Sequence, residues 1–127
     1  MIQTETRVST TPRALEGIRV LDFTWVRAGP WCNRWLGALG AEVIKVEPPS
    51  GDYAREFAPK RGESDGAAFL TLNRNKKSVT LDIDAQDGRR AFLDLVKDAD
   101  IVIEDWGPGK AEERGLSYEV LKQSNPR

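Results

Sequence analysis

Two stretches decide the fold: Gly17-Ile18-Arg19-Val20-Leu21-Asp22-Phe23-Thr24-Trp25-Val26-Arg27-Ala28-Gly29-Pro30, and Gly40-Ala41-Glu42-Val43-Ile44-Lys45-Val46-Glu47-Pro48-Pro49. Residues 18–23 are short, branched and aromatic, which suits a buried strand. Arg27, Ala28, Gly29 and Pro30 turn the chain, and Pro30 suits the first position of a helix, where its missing N–H costs nothing. Behind it Trp31, Trp35, Leu36 and Leu39 recur at helical spacing, so the two tryptophans are expected on a core-facing stripe, with Gly40 as the C-terminal cap. Residues 43–46 supply a second strand that ends at Glu47, Pro48 and Pro49. Strand, helix and strand in this order form a βαβ unit whose strands are parallel neighbours in one sheet.

Working outward, the same alternation continues. Residues 50–63 carry Gly, Pro and mixed charge without a period and are expected as an exposed loop, long enough to be functional. A short helical piece over 67–70 precedes a half-buried strand over 78–83. A helix over 87–97 places Phe92, Leu95, Val96 and Ala99 on one side. A strand at Ile101, Val102 and Ile103 follows, and after Trp106, Gly107, Pro108 and Gly109 the chain is helical in flavour, with Leu116, Val120 and Leu121 apolar. The fold class is α/β, a parallel sheet with flanking helices. Residues 1–14, rich in Thr and Ser at their start, are expected as a flexible arm, leaving 15–127 as one domain.

Composition bounds the chemistry. With 127 residues and 39% hydrophobic content the chain supports one domain with a core of its own. Nineteen Lys and Arg against twenty Asp and Glu leave a formal charge of -1, without the global positive field that nucleic acid binding uses. No histidine and a single cysteine, Cys32, remove the usual zinc, copper and iron ligand sets as well as Ser-His-Asp and Cys-His catalysis. No metal site is therefore expected. No leader or membrane span is visible, and a cytoplasmic setting is the default expectation.

In open α/β sheets ligands bind at the carboxyl ends of the strands. Three loops qualify here: 24–30, 47–52 and 104–109. The first lacks both the G-x-G-x-x-G and the P-loop spacing, so it is either a generic anion site at a helix start or a tight turn with no ligand. Arg74, Asn75, Lys76 and Lys77 are read first as a solvated loop and second as a phosphate contact. Trp25 and Trp106 lie in strand-end loops, open to stacking on a purine or to core packing. Cys32 is expected as a small hydrophobe, and Asp22 as a structural hydrogen-bonding carboxylate.

Several strings carry a resemblance to a known family: Leu15-Glu16-Gly17-Ile18-Arg19-Val20-Leu21-Asp22-Phe23-Thr24, Ala28-Gly29-Pro30, Leu39-Gly40-Ala41-Glu42-Val43-Ile44-Lys45-Val46-Glu47, and Leu72-Asn73-Arg74-Asn75-Lys76-Lys77-Ser78-Val79. Gly107-Pro108-Gly109 and Asn125-Pro126-Arg127 follow in the right order. From about Leu15 onward the chain resembles the N-terminal part of family III CoA-transferases, which include formyl-CoA transferase, carnitine CoA-transferase and α-methylacyl-CoA racemase. The resemblance implies a Rossmann-like domain, interlocked dimers or a missing C-terminal portion, and an acyl-CoA or CoA as ligand.

In that family an aspartate attacks the acyl-CoA thioester, forms a mixed anhydride and releases CoA as thiolate, a covalent catalysis by carboxylate. It lies downstream of the Asn-Pro-Arg segment, so the resemblance assigns no catalytic residue here and implies a fragment or truncated gene product, inactive alone. A rival reading is a stand-alone binding or interaction module derived from the fold.

By residue-wise match, the resemblance implies CoA contacts at Val26, Arg27 and Ala28, at Leu81, Asp82, Ile83 and Asp84, and at Asp105, Trp106 and Gly107. The chain departs from the pattern where Asp84 replaces a common lysine, Glu113 a frequent arginine and Asp105 a frequent asparagine. Each puts a carboxylate near a polyanion and opposes binding, so weak affinity is expected, with Arg114 one position away as a compensating charge.

Overall fold

Branched apolar residues alternating with polar ones build the sheet, and in the computed structural model, which describes residues 11–127, that alternation decides which layer each side chain enters. Four strands, β1 (Arg19–Asp22), β2 (Glu42–Glu47), β3 (Lys76–Thr80) and β4 (Ile101–Ile103), are all parallel in the order β3-β2-β1-β4. The register pairs Leu21 with Ile44 and Val102, and Val46 with Val79. The helices are α1 (Ala28–Ala38), α2 (Ala67–Leu72), α3 (Gln86–Val96), α4 (Lys110–Glu113) and α5 (Tyr118–Ser124), with a 3-10 turn over Tyr53–Glu56. The α/β parallel sheet with flanking helices is thus the observed architecture. The arm expected over 1–14 falls mainly on residues 1–10, outside the described residues.

The two faces of the sheet differ. Leu21, Phe23 and Val46 project to one side, where they pack with Phe92, Val96, Ala99 and Leu116, and Ile44, Val79 and Val102 close on the same cluster. Phe23 meets Phe92 edge to face at 4.6 Å between ring centroids. By alternation, Val20, Asp22, Val43, Lys45 and Glu47 point the other way. Val20 and Val43 form a small apolar cluster with Ala41, Leu36 and Ile103. Asp22, Lys45 and Glu47, nearer the carboxyl ends, are all buried.

Several expectations are corrected. Trp31 and Trp35 are not core: they are 45% and 50% exposed. The inward face of α1 is Pro30, Asn33 and Gly37. The helix approaches so closely that a Cβ on Gly37 would lie 3.5 Å from the Asn75 carbonyl oxygen and 3.6 Å from Val43. Bulky rings do not fit beneath it. The tryptophans stack edge to face outside at 5.8 Å, with the Arg34 guanidinium over both. Cys32 is exposed as well.

Pro30 is the third residue of α1 rather than the first, still within the turn whose N–H groups have no helical partner. Gly40 adopts φ +113, as the helix end requires, and donates to the Gly37 carbonyl at 3.1 Å. The strand expected over 78–83 runs instead over Lys76–Thr80. Leu81 N–H still donates to the Glu47 carbonyl at 2.8 Å, but the Asp82 carboxylate then accepts from the Asp84 N–H and turns the chain. The 50–63 segment is only partly an exposed loop. Asp52 and Ala54 are buried, and the Asp52 carboxylate accepts from the Ala54 N–H at 2.8 Å to start the 3-10 turn.

Candidate functional site

The carboxyl ends of the strands converge on the turn between β1 and α1. Asp22 Oδ1 accepts from the Thr24 N–H at 2.9 Å and from its hydroxyl at 2.5 Å. Asn33 Nδ2 donates to Thr24 Oγ1 at 3.3 Å, and Lys45 Nζ donates to the Thr24 carbonyl at 2.7 Å. The Trp25 N–H donates to Asp105 Oδ2 at 2.8 Å. Between these restraints Val26 sits at φ +65, a left-handed conformation that costs a β-branched residue on the order of 1–3 kcal/mol and persists only where its surroundings over-determine it. Gly29 is required for the same packing, since a Cβ there would lie 2.2 Å from Thr24 Cβ.

Two buried ion pairs underlie the turn. Lys45 Nζ is 2.9 Å from Asp52 Oδ2, and Lys76 Nζ is 2.7 Å from Asp22 Oδ2, each side chain no more than 2% exposed. Lys76 also donates to Asn73 Oδ1 at 2.8 Å. Burial pushes the Lys76 ammonium below the usual lysine range, and the Asp22 carboxylate opposes that shift. The basic run 74–77 is therefore not simply a solvated loop: Arg74 and Lys77 are exposed, but Lys76 is a buried partner of Asp22.

Glu47 forms a third node. It accepts from Arg55 through both oxygens, at 2.7 and 2.9 Å, from Ser78 Oγ at 2.7 Å, and from the Asp52 N–H at 3.1 Å. Burial alone raises its pKa, but these hydrogen bonds prevail and lower it to about 2.

The expected contact residues divide between concavities. Leu81, Asp82, Ile83, Asp84 and Trp106 come together around a cavity of about 250 Å³ at the strand ends, which Trp25 and Arg114 also line. Gly88 lets this turn sit against α3, since a Cβ there would lie 1.9 Å from the Asp82 carbonyl oxygen. Arg27 and Ala28 line a separate apolar groove of about 580 Å³ against α2. Val26, half-buried, lies between Trp25 on one concavity and Arg27 on the other. Asp105 and Gly107 border a shallow depression beside Pro108 and Gly109.

The acidic departures sit in unequal surroundings. Asp84 lines the cavity with its carboxylate 3.4 Å from Arg114 Nε, and the Arg114 guanidinium lies 4.7 Å over the Trp106 ring. Asp105 is occupied in holding the Trp25 amide. Glu113 pairs with Lys110 at 2.6 Å and does not line the cavity. Trp106 packs on Phe23 at 5.0 Å and Trp25 on Tyr53 at 5.2 Å. The Arg27 side chain is exposed and makes no ion pair among the described residues.

Lys45 and Arg55 were not singled out from sequence, and Glu47 and Asp52 entered only as the ends of the 47–52 loop. The available signal was a lysine inside the apolar run Val43-Ile44-Lys45-Val46, at a position whose alternation with Val43 faces it inward.

Comparison with known proteins shows the family. Residues 15–127 match the family model described as CoA-transferase family III. The chain is 39% identical over 117 residues to a formyl-CoA:oxalate CoA-transferase from Streptomyces coelicolor, covering 92% of this chain and 28% of that protein. It is 43% identical over 117 residues to a succinyl-CoA:mesaconate CoA-transferase from Haloarcula hispanica, covering 89% of this chain and 30% of that one. A solved structure of a CAIB/BAIF family protein from Brucella suis superposes with a TM-score of 0.84 at 40% identity, over 91% of this chain and 32% of that chain. The chain thus spans less than a third of the length of these relatives. It belongs, over residues 15–127, to CoA-transferase family III.

Proposed function

We propose that this chain forms the CoA-binding N-terminal segment of a family III CoA-transferase, and that it holds CoA weakly and transfers no acyl group by itself. The observation that carries the reading is the family match over 15–127 together with the meeting of Leu81, Asp82, Ile83, Asp84 and Trp106 around one cavity at the strand ends. Arg27, exposed and without an ion pair among the described residues, stands at the start of α1 and offers a charge to a phosphate beside the helix N-terminus, with the amides of Ala28 and Gly29 next to it. Arg114 offers a second charge from the cavity wall. An arginine and a helix terminus supply on the order of 1–3 kcal/mol, against which Asp84 and Asp82 act at short range.

The proposed lack of turnover is supported by how the nearby carboxylates are engaged. Glu47 is held by Arg55, Ser78 and a backbone N–H, and Asp22 by Lys76 and Thr24. Asp105 is held by the Trp25 amide, Asp82 by the Asp84 amide, and Asp84 faces Arg114. A carboxylate tied up in this way is a poor nucleophile toward a thioester.

Titration calorimetry with CoA on the wild-type chain and on Arg27→Ala tests this. The expected dissociation constant is on the order of hundreds of micromolar, weakened about tenfold by Arg27→Ala. Submicromolar binding refutes the role given to the acidic groups, an unchanged Arg27→Ala places the site elsewhere, and transferase turnover by this chain refutes the claim of a missing nucleophile.

A further inference from the structure

Polar side chains from three strands, and one from the loop after the fourth, gather at the turn 24–27. Asp22 comes from β1, Lys45 from β2 and Lys76, through Asp22, from β3, while Asp105 follows β4. Of these, Lys45 is the lysine that bonds the loop backbone directly, at the Thr24 carbonyl. Its side chain is 2% exposed and that of Asp52 fully buried, and a buried ion pair is commonly no more stabilising than an apolar pair of the same volume. What the pair achieves is geometric. The Lys45 ammonium reaches the Thr24 carbonyl at 2.7 Å and Asp52 Oδ2 at 2.9 Å, while Asp52 Oδ1 accepts from the Ala54 N–H. The first loop is thereby tied to the 3-10 turn over Tyr53–Glu56, and Trp25 lies against Tyr53 across the same junction. The residue after this tether is Trp25, and the next is Val26, held at φ +65.

We propose that Lys45, with Asp52 behind it, is a positioning residue: by holding the Thr24 carbonyl it keeps Val26 in the left-handed conformation and so fixes the direction in which Arg27 and the amides of Ala28 and Gly29 meet the ligand. The proposal rests on the CoA reading above for the identity of the ligand, but not for the conformation of the loop. Asp105 does not replace this tether, because it lies exposed and, among the described residues, holds only the Trp25 N–H.

The test uses the whole chain and two double variants that remove both ions together, so that neither charge is left alone. Lys45→Met with Asp52→Asn removes the donor to Thr24, whereas Lys45→Gln with Asp52→Asn keeps one. Amide hydrogen exchange and the CoA dissociation constant are read on each. With Met at position 45, the amides of Trp25 and Arg27 are expected to exchange at least about tenfold faster while those of Leu21 and Phe92 keep their wild-type protection, and CoA binding weakens by a similar factor. With Gln at position 45, both readouts stay within about threefold of wild type. Unchanged loop exchange in the Met variant overturns the proposal, as does an equal acceleration at Leu21 and Phe92, which marks a role in overall stability only. Should the Met variant not fold, the Gln variant decides: retained loop protection supports the tether and lost protection overturns it. A wild-type chain that binds no CoA refutes the functional reading and leaves the exchange result to decide the tether by itself.

Discussion

The sheet presents two unlike faces built from one alternating sequence. Leu21, Phe23 and Val46 turn toward α3 and α5 and bury only apolar and aromatic groups. Asp22, Lys45 and Glu47, their immediate neighbours in the chain, turn toward α1 and the 3-10 segment and bury charge. The first face is tolerant of detail: burial of apolar area is non-directional and scales with the surface removed from water. The second is directional, since each ion pair and hydrogen bond is satisfied in one geometry only, and those of Asp22 and Lys45 end on the loop that carries Arg27. The contrast teaches that stability and positioning are divided between alternate residues of the same strands.

The sharpest way to break this comparison is to mutate each face in turn. Asp22→Ala strands the Lys76 ammonium in the interior and removes the acceptor of the Thr24 N–H, with an expected loss of about 3–5 kcal/mol. Phe92→Ala, on the apolar face, opens a cavity and costs a similar amount, about 3–5 kcal/mol. The faces separate in the second step. Asp22→Leu combined with Lys76→Met removes both charges and is expected to come within about 2 kcal/mol of wild type, the remainder being the unsatisfied Thr24 N–H. Urea unfolding midpoints measure all three. A double variant as unstable as Asp22→Ala contradicts the assignment of geometry rather than stability to the charged face.

Acid sharpens the same contrast with a smaller effect. Hydrogen bonds hold the folded-state pKa of Glu47 at about 2, below the ordinary glutamate value of 4.5, so its stabilisation is fully present above about 4.5. That contribution, on the order of 3 kcal/mol, is lost as the pH falls from about 4.5 through about 2. Urea unfolding between pH 5 and 2 is expected to show this fall in wild type and a flatter profile in Glu47→Gln. Parallel profiles in the two proteins contradict the role given to Glu47.

Much of the fold was legible in the residues themselves. Branched runs at 18–23 and 43–46, separated by a helical period closed by Gly40, dictate a βαβ unit, and the sheet carries it with β1 and β2 side by side. The candidate site was legible in part, because loops at strand ends are where ligands meet an α/β sheet, and one expected contact stretch, 81–84, borders a cavity there together with Trp106 of another. What periodicity did not convey was which stripe of α1 faces the sheet. Trp31 and Trp35 have the right spacing for a core, but the helix sits too close over Gly37 and Asn33 to admit them. Nor did composition show that Lys45 and Lys76 find their carboxylates at Asp52 and Asp22: such pairs are made by topology, across separations that no local pattern spans. Asp82 ended the third strand early for a local reason, its own turn-forming carboxylate, which the alternation of 78–83 concealed.

The proposed ligand site lies at the strand ends and not on the apolar face. Amide chemical-shift mapping of the full chain titrated with CoA tests it most directly. The predicted result is a set of concentration-dependent shifts confined to Trp25, Val26, Arg27, Ala28 and Gly29, to Leu81, Asp82, Ile83 and Asp84, and to Trp106 and Gly107, with the amides of α3 and α5 unmoved. Shifts clustered on α3 and α5, or no shifts at millimolar CoA, would contradict it.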